Sequence, residues 1–259
     1  ECGDCPQVRE YPSSLFFDFT KRMFNEKKRL FEDFSNLIIV TPSKWLADRV
    51  EQSFLKDKDI RVIHNGIDST NVFYPRDFEH LKKKHNITDE KIVLAVAPNL
   101  MSEQKGGRWI LELAKTVKNE DRIKFILIGV DDLNQDFDDN VIALGRTSNQ
   151  IELAEYYSMA DVFVICSKRE NFPTTCLEAQ CCGTPVCGFD AGGSRETSIT
   201  PDLGFVEYGD VLGLISEISK VLSFENEIMR RERSINSKNK YNNEYMACKY
   251  KKLYLNIDE

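Results

Sequence analysis

Between residues 91 and 222, short apolar runs alternate with longer segments whose apolar residues recur every three or four positions. Continuous apolar runs are typical of strands that are buried on both faces of a sheet, and the longer period is typical of helices. Strands that alternate with helices in this way form right-handed crossover units and a parallel sheet. The pattern therefore predicts an α/β fold. The predicted strands are 91–98, 124–130, 141–145, 161–167 and 184–189, and the predicted helices are 106–119, 149–160, 173–182 and 209–222.

The first 75 residues and the last 24 contain fewer predicted strands and helices. Residues 71–77 look like a linker, and His64, assigned to the end of the strand before it, is interpreted as a structural residue. Ser13 or Ser14 is the expected N-cap of the first helix, and Ser43 that of the second. The predicted elements are a helix at 13–34, a strand at 36–43, a helix at 44–55, a strand at 60–68 and a final helix at 236–255.

The helix predicted over 13–34 carries both apolar and basic residues. The apolar residues at helical spacing are Phe16, Phe19, Met23, Leu30 and Phe34. The basic residues are Lys21, Arg22, Lys27, Lys28 and Arg29. Two interpretations are open: a helix that is packed on a sheet with a solvated basic face, or a surface helix that contacts an anionic membrane.

Charge and cysteine content limit the class of protein. A net charge of -7 argues against a general nucleic-acid binder, which would present a basic face. The sequence shows neither a run of apolar residues long enough for a transmembrane helix nor a signal peptide at its start. Eight scattered cysteines do not form a disulfide framework, so they are predicted to be reduced thiols of a cytosolic protein. Cys2 and Cys5 supply only half of a zinc site, and no metal is assigned.

The stretch 169–196 places Glu170 and Glu178 on either side of a Pro-Thr-Thr turn. Glu170 follows a predicted strand, and ligands of open parallel sheets bind beyond the carboxyl ends of the strands. Pro173 suits the first turn of a helix. The amides of Thr174 and Thr175, which have no partner inside that helix, form an anion site together with the helix dipole.

The two glutamates extend this anion site on both sides. Glu178 lies about one turn (~5.4 Å) further along the helix than Thr174 and on the same face. Its carboxylate can accept two hydrogen bonds from a vicinal diol such as a ribose, and Glu170 can hold the hydroxyls of a second sugar. The stretch therefore predicts a clamp for a sugar–phosphate–sugar ligand. The alternative is a solvated helix residue and a loop charge with no ligand.

Two further strand ends carry compatible residues. Gly192 and Gly193 follow the next predicted strand, and residues 194–196 are expected to begin another helix. Lys105 follows the strand 91–98 and can set a positive charge against phosphates. Neither a GxGxxG motif after a strand nor a GxxxxGK[ST] motif occurs. This disfavours a dinucleotide dehydrogenase and a P-loop NTPase.

These residues resemble the retaining glycosyltransferases of family 4, which have the GT-B fold. The most specific match is residues 160–196, with the Glu-x7-Glu signature of the family and the Gly-Gly loop that follows it. The other matching segments, in family order, are 40–47, 62–68, 104–106 and 143–145. The chain is most similar to bacterial members that act on capsular polysaccharide or exopolysaccharide.

The resemblance implies roles for the matched positions. Glu178 would bind the ribose of the donor, Glu170 would hold the transferred sugar, and Lys105 would stabilise the leaving diphosphate. Glu170 and Lys105 are thus the predicted catalytic residues, and no carboxylate nucleophile is assigned. The other predicted donor-binding residues are Asn99, Gly106, Gly145, Arg146, Thr147, Asn171, Phe172, Pro173, Thr174, Thr175 and Gly193.

The resemblance also implies a donor that binds without a metal. The donor would be a UDP- or GDP-sugar, and Lys105 with the helix N-terminus would supply the positive potential. The aspartates at 131–132 and 138–139 are interpreted as solvated loop residues. Many family members carry an arginine where Asn99 and Leu100 stand, so stabilisation of the diphosphate by a second cation is left open, with Arg146 and Arg195 as candidate replacements.

The predicted organisation is a partial N-terminal, acceptor-side Rossmann-like domain at 1–75, a donor-binding domain with a Rossmann-like parallel sheet at 76–235, and a C-terminal helix at 236–259 that crosses back. Since the match to the acceptor half is partial, we expect nucleotide binding without efficient transfer. We also expect a stable core at about 88–222, with a C-terminal helix that is poorly anchored and ends that are sensitive to protease.

The predicted function is the transfer of a sugar from a nucleotide diphosphate sugar to a hydroxyl of a glycan or lipid-linked acceptor in polysaccharide biosynthesis. The predicted location is the cytoplasm, with a peripheral membrane contact left open. Two alternatives also stay open. A sugar-nucleotide epimerase would transfer no sugar to an added acceptor, and a non-catalytic binding module would bind without turnover.

Overall fold

The computed structural model describes residues 3–5, 8, 14, 17–117, 122–200 and 204–255. The chain divides into two compact units. The smaller contains Glu1–Thr41 and Leu46–Val62, and the larger contains Pro42–Trp45 and Ile63–Glu259. Every predicted site residue lies in the larger unit. The domain boundaries predicted from the sequence stay a prediction.

The smaller unit contains a two-stranded parallel sheet and an exposed helix. Strands β1 (Ile38–Thr41) and β2 (Asp59–Val62) pair in parallel, with Ile38 opposite Asp59. Helix α1 spans Thr20–Glu32 and has no buried residue. Helix α2 (Lys44–Glu51) begins in the larger unit and continues into the smaller one.

The start of α1 differs from the prediction. The helix was expected to begin at Ser13 or Ser14, but it begins at Thr20. The hydroxyl of Ser14 donates to the carbonyl of Phe17 at 2.5 Å, and the carboxylate of Asp18 accepts the amide of Thr20 at 2.8 Å. Such local bonds between side chain and backbone compete with the hydrogen bonds of a helix, which is consistent with a later start of α1. Ser13 and Phe16 lie outside the described residues.

The larger unit is built around a parallel sheet of six strands. They are β3 (Lys91–Val96), β4 (Ile123–Ile128), β5 (Val141–Leu144), β6 (Val162–Ile165), β7 (Val186–Phe189) and β8 (Phe205–Val206). The order across the sheet is β5-β4-β3-β6-β7-β8, and each pairing is parallel. Strands β4 and β5 therefore lie in chain order on one side of β3, and β6, β7 and β8 lie in chain order on its other side. The predicted parallel sheet is confirmed, and its topological switch point lies between β3 and β6.

Helices cover both faces of this sheet. The helices that follow β2 in the described residues are α3 (Glu79–Lys84), α4 (Gly107–Thr116), α5 (Gln150–Met159), α6 (Thr174–Cys181), α7 (Val211–Phe224), α8 (Glu227–Tyr241) and α9 (Asn243–Tyr254). Val93 and Ala95 of β3 belong to the core cluster shared with α4 and α7. Ile92 and Leu94, on the other side of the same strand, belong to the cluster shared with α5 and α6. This two-sided burial explains why the strands are continuously apolar.

The C-terminal region differs from the single helix predicted at 236–255. It consists of the end of α8 and then α9, with a break at Asn242. The amide of Ile67 donates to the carbonyl of Tyr241 at 2.9 Å, and the amide of Asn243 donates to the carbonyl of Ile67 at 3.0 Å. Tyr241 is fully buried. The expectation of a poorly anchored segment is therefore wrong up to Tyr241, whereas α9 has no buried residue.

The cysteines within the described residues are free thiols, as predicted. Five of them are buried: Cys166, Cys176, Cys181, Cys182 and Cys187. Burial raises the pKa of the Cys181 thiol to about 12, and the pKa values of the other four also rise because of burial. Such thiols are poor nucleophiles at neutral pH. Cys2 lies outside the described residues.

Candidate functional site

A pocket of about 310 Å³ opens at the carboxyl ends of β3 and β6. Ala97 and Pro98, after β3, line one side, and Cys166 and Ser167, after β6, line the other. The volume is within the range of small-molecule sites. The position is the switch point of the sheet, where ligands of such folds bind. The lining also contains six residues predicted for the site: Lys105, Glu170, Phe172, Pro173, Thr174 and Thr175.

The backbone of Glu170 is fixed between two loops. Its amide donates to the carbonyl of Ala191 at 3.1 Å, and its carbonyl accepts the amide of Gly193 at 2.9 Å. The loop after β6 thus pairs in parallel with the loop after β7, through a bridge between Glu170 and Gly192. The two loops meet at one edge because β6 and β7 are neighbours in the sheet.

The Gly-Gly pair allows these loops to touch. Gly192 has a φ of 78°, and a Cβ on it would lie 2.0 Å from the carbonyl oxygen of Glu170. A Cβ on Gly193 would lie 1.9 Å from the carbonyl oxygen of Asn171. Any side chain would separate the loops, so packing alone requires both glycines. The predicted contact of Gly193 with the donor stays a prediction.

Lys105 and Glu170, the two predicted catalytic residues, form an ion pair. Nζ of Lys105 lies 2.6 Å from Oε1 of Glu170, and the side chains are 33% and 16% exposed. Lys105 is positioned by the turn that begins α4, where Gly106 has a φ of 72°. A Cβ on Gly106 would lie 2.1 Å from the carbonyl oxygen of Cys166, so the β3 loop touches the end of β6.

The N-terminus of α6 forms another wall of the pocket. Pro173 precedes the helix, and Thr174 and Thr175 open it. Their amides lie in the first turn, where no carbonyl inside the helix can accept them. The structure therefore brings a lysine ammonium and a helix N-terminus into one pocket, which suits an anion such as a phosphate.

Glu178 lies one turn further along α6, next to a residue that the sequence did not reveal. Its carboxylate accepts a hydrogen bond from the Tyr157 hydroxyl at 2.9 Å. Burial raises the pKa of Glu178, and hydrogen bonds from Tyr157 and Thr174 act in the opposite direction. The ring of Tyr157 is fully buried, and burial raises the pKa of its hydroxyl well above the usual value. No motif marks this tyrosine, and it stands directly after a second tyrosine, Tyr156, on α5.

Phe172 is supported from behind by residues far away in sequence. The His64 ring stacks on the Phe172 ring with centroids 4.6 Å apart and an angle of 5° between planes. Tyr241 contacts both rings edge-on. Nδ1 of His64 lies 2.9 Å from the carbonyl oxygen of Pro42, which assigns a proton to Nδ1. His64 is thus structural, as predicted, and it packs against the site loop.

The start of α2 is bonded to the same loops. Ser43 donates its hydroxyl to Oδ1 of Asn171 at 2.7 Å. The carboxylate of Glu196 accepts the amides of Lys44 and Trp45, each at 2.7 Å. Glu196 therefore satisfies two amides in the first turn of a helix that is distant in sequence. The helix expected at 194–196 is a single 3-10 turn, Arg195–Thr197.

The residues predicted to border the base do not line the pocket. Gly145 and Thr147 are partly exposed and Arg146 is exposed. Thr147 accepts the Asn149 amide at 3.1 Å and contacts the carboxylate of Glu152 at 3.1 Å, so its hydroxyl supports the start of α5. The roles of these residues, and of the exposed Asn99, stay predictions.

Arg146 and Arg195, which the sequence offered as replacements for a second cation near the diphosphate, do not line the pocket. Among the described residues that line it, Lys105 is the one cation. Arg195 forms an ion pair with Asp190 at 2.7 Å and also donates to the carbonyl of Phe205. Leu100 is buried. The aspartates at 131–132 and 138–139 are exposed, as predicted.

A family profile and two curated relatives indicate the type of protein. The family profile "Glycosyl transferases group 1" matches residues 77–240. N-acetyl-alpha-D-glucosaminyl L-malate synthase of Bacillus anthracis is 27% identical over 85% of this chain and 60% of its own length. The N,N'-diacetylbacillosaminyl-diphospho-undecaprenol alpha-1,3-N-acetylgalactosaminyltransferase of Campylobacter jejuni is 31% identical over 77% of this chain and 55% of its own length. The chain thus spans a little over half of each relative.

A solved structure shows the same fold. The crystal structure of Anabaena Alr3699/HepE in complex with UDP superposes with a TM-score of 0.75, at 17% identity, over 93% of this chain and 69% of that one. At that identity the likeness establishes architecture and not chemistry. The fold is therefore of the GT-B type, as expected from the sequence.

Proposed function

Because the chain belongs to the glycosyl transferases group 1 family, we propose that it supplies the donor-binding part of a retaining glycosyltransferase. The enzyme would move a sugar from a nucleotide diphosphate sugar to a hydroxyl of a glycan or lipid-linked acceptor. The Campylobacter relative is named for a diphospho-undecaprenol-linked sugar, which supports a lipid-linked acceptor. Assignment to family 4 and to capsule or exopolysaccharide synthesis belongs to the same proposal.

One observation carries the proposal. The pocket at the switch point of the sheet combines Lys105, Glu170 and the N-terminus of α6. The ammonium and the free amides suit a diphosphate, and the Glu170 carboxylate suits sugar hydroxyls. Glu178, one turn further along the helix, suits a ribose. Glu178 lies outside the pocket lining and is bonded to Tyr157, so its contact with a ribose is the least direct part of the proposal.

The groups have distinct chemical tasks in the transfer step. When the bond between the sugar and the diphosphate breaks, negative charge develops on the diphosphate. Lys105 and the first amides of α6 would stabilise that charge, because they are positioned before the reaction. Glu170 would orient the transferred sugar. No carboxylate is assigned as a nucleophile.

We propose that the donor binds without a divalent metal. Lys105 and the helix N-terminus supply the positive potential that a metal supplies in other transferases. The test is nucleotide binding to purified protein with and without EDTA. Equal affinities are expected, and loss of binding in EDTA would contradict the proposal.

The first experiment is a thermal-shift panel of UDP, GDP, ADP and their sugars, followed by calorimetry on the best ligand. We expect one base to be preferred, and UDP is favoured by the bound ligand of the Anabaena structure. A protein that binds none of these compounds would not support a nucleotide-sugar site.

The second experiment separates transfer from binding alone. A radiolabelled-sugar assay would use this chain and a version extended at its N-terminus. We expect both to bind the donor and the extended version to transfer sugar much faster. Positioning the acceptor against the donor can supply about 7–11 kcal/mol of a barrier. Equal turnover would contradict this domain assignment. Binding without turnover in the extended version would favour a binding module, and conversion of the sugar nucleotide without an acceptor would favour an epimerase.

We also propose a cytoplasmic location with a peripheral membrane contact through α1. Met23, Phe24, Leu30 and Phe31 of this helix are each at least 41% exposed. Their spacing places them on one side of the helix, and five basic residues accompany them. Co-sedimentation with anionic vesicles tests the contact, and neutral vesicles are the control. Equal pelleting with both would contradict it. In the described residues, no helix is both long and apolar enough to cross a bilayer.

A further inference from the structure

The two predicted catalytic side chains are partners of each other. Nζ of Lys105 lies 2.6 Å from Oε1 of Glu170. The proposed function requires the same ammonium to stabilise a diphosphate. We infer that Glu170 competes with the diphosphate for Lys105 and so makes the site select an intact donor over a nucleoside diphosphate that carries no sugar. This inference rests on the proposed function and adds a specificity role for Glu170.

The backbone of each residue is held in place by hydrogen bonds or close packing. The amide of Lys105 donates to the carbonyl of Ser102 at 3.1 Å. The next residue, Gly106, touches the end of β6. Glu170 is bonded to the β7 loop through both its amide and its carbonyl. Since neither backbone can withdraw, the two charged ends stay within reach of each other.

The charges of the pocket make this competition strong. Among the described residues lining it, Lys105 is the one cation and Glu170 is the one anion. Glu170 is 16% exposed, so solvent screens the pair incompletely. A diphosphate must therefore share Lys105 with a carboxylate and also lie close to that carboxylate. Like charges at short range disfavour each other.

The transferred sugar removes the conflict. An ionised carboxylate only accepts hydrogen bonds, so it needs a donor as its partner. When Lys105 turns to the diphosphate, Glu170 needs other donors, and the hydroxyls of a bound sugar can provide them. A nucleoside diphosphate alone has no hydroxyl at that position. It leaves a partly buried carboxylate without a partner, which is costly. The intact donor thus offers a partner to both Lys105 and Glu170, whereas the nucleoside diphosphate offers a partner to Lys105 alone.

The experiment uses inorganic pyrophosphate, which needs no knowledge of the base. Calorimetry would compare the unmodified protein with Glu170→Gln. Removal of the competing charge should tighten pyrophosphate binding about tenfold, which is the effect of about 1.4 kcal/mol. The matched control is Glu103→Gln, because Glu103 pairs with Lys168 at 3.1 Å in an exposed ion pair of the neighbouring loops. It removes one negative charge without touching Lys105 and should leave the affinity within about twofold.

A double-mutant cycle tests whether the effect passes through Lys105. In a Lys105→Met background, Glu170→Gln should tighten pyrophosphate binding much less than in the unmodified protein. Circular dichroism and melting curves would show that each variant is folded. Equal or weaker pyrophosphate binding by Glu170→Gln, or no measurable binding by any folded variant, would overturn the inference.

A second measurement addresses selection directly. For the best nucleotide of the panel, the affinity ratio between the sugar nucleotide and the nucleoside diphosphate should be at least about tenfold lower in Glu170→Gln, because product binds better and sugar loses an acceptor. An unchanged ratio would overturn the inference even if the unmodified protein binds nucleotides. If pyrophosphate binding tightens but no nucleotide binds, the competition at Lys105 stands while the proposed function and the selection of the donor fail.

Discussion

The two ends of the predicted donor site differ in how firmly they are built. At the α6 end, loops touch at Gly192 and Gly193, Glu170 is bonded on both sides, and Glu178 is held by Tyr157. At the β5 end, a Cβ on Gly145 would meet nothing within 4 Å. Both ends carry glycine, but only one needs it for packing. A glycine in an open place is therefore a better probe of ligand contact than one between two loops.

The largest expected effect comes from Gly193→Ala, which disturbs the contact between the two loops at the α6 end of the site. The new Cβ would lie 1.9 Å from the carbonyl oxygen of Asn171, a backbone atom that cannot move aside as a side chain could. We expect a loss of about 3 kcal/mol in the free energy of unfolding, at the upper end of the usual cost of overpacking. Urea denaturation measures this loss. A change below about 1 kcal/mol would show that the loops separate easily.

The next effect is on ligand binding at the same end. Glu178→Ala should weaken nucleoside diphosphate binding by about 1.5–3 kcal/mol, the range for hydrogen bonds to a charged group. Calorimetry with the best nucleoside diphosphate measures it. Affinity equal to that of the unmodified protein would contradict the ribose assignment. Tyr157→Phe is a useful companion, since it keeps the carboxylate and removes one of its donors.

The third prediction concerns the buried carboxyl of Glu178 and how the free energy of unfolding depends on pH. Burial raises the pKa of Glu178 above its usual 4.5, so the folded state holds this proton more tightly than the unfolded state does. The stabilisation from protonated Glu178 is complete below pH 4.5 and is lost as the pH rises through the folded-state value. Glu178→Gln, which is never charged, should therefore gain stability relative to the unmodified protein as the pH rises from 4 to 7. Urea denaturation at several pH values tests this, and a difference that shrinks over that range would contradict it.

The smallest effect is expected at the open end. Gly145→Ala should change the free energy of unfolding by less than about 0.5 kcal/mol, as for other exposed positions. If residues 145–147 border the base, the same variant should still weaken binding of the preferred nucleotide while leaving pyrophosphate affinity unchanged. Calorimetry with both ligands decides the point. Unchanged affinity for both would remove Gly145 from the predicted site.

The sequence predicted the elements whose signal is local. The apolar runs identified the first five strands of the large sheet, and Pro173 marked the start of α6 within one residue. The short strand β8 and helix α3 were not predicted. Two and six residues are too few for a clear period. The break at Asn242 was missed because it depends on pairing with Ile67, far away in sequence.

For the site, the sequence indicated which residues take part, but it did not indicate which of them form hydrogen bonds or ion pairs with each other. The Glu-x7-Glu spacing placed Glu170 and Glu178 on one loop and helix, which the structure shows. The bond between Lys105 and Glu170 joins loops after two different strands, and spacing cannot reveal it. The same is true of Glu196, which accepts the amides of Lys44 and Trp45. The sequence suggested that Gly193 contacts the donor. The structure shows that glycine is already needed there because two backbones approach closely.

The bridge between Ile67 and Asn242 sets an order of events during protein synthesis. Ile67 leaves the ribosome long before its partners Tyr241 and Asn243 are made. At a synthesis rate of about 5–20 residues per second, the delay is roughly 10–35 s. During that time the sheet can form while His64 and Phe172 still lack the ring of Tyr241. The contacts of Tyr241 with Ile67, His64 and Phe172 are therefore among the last to form in the larger unit.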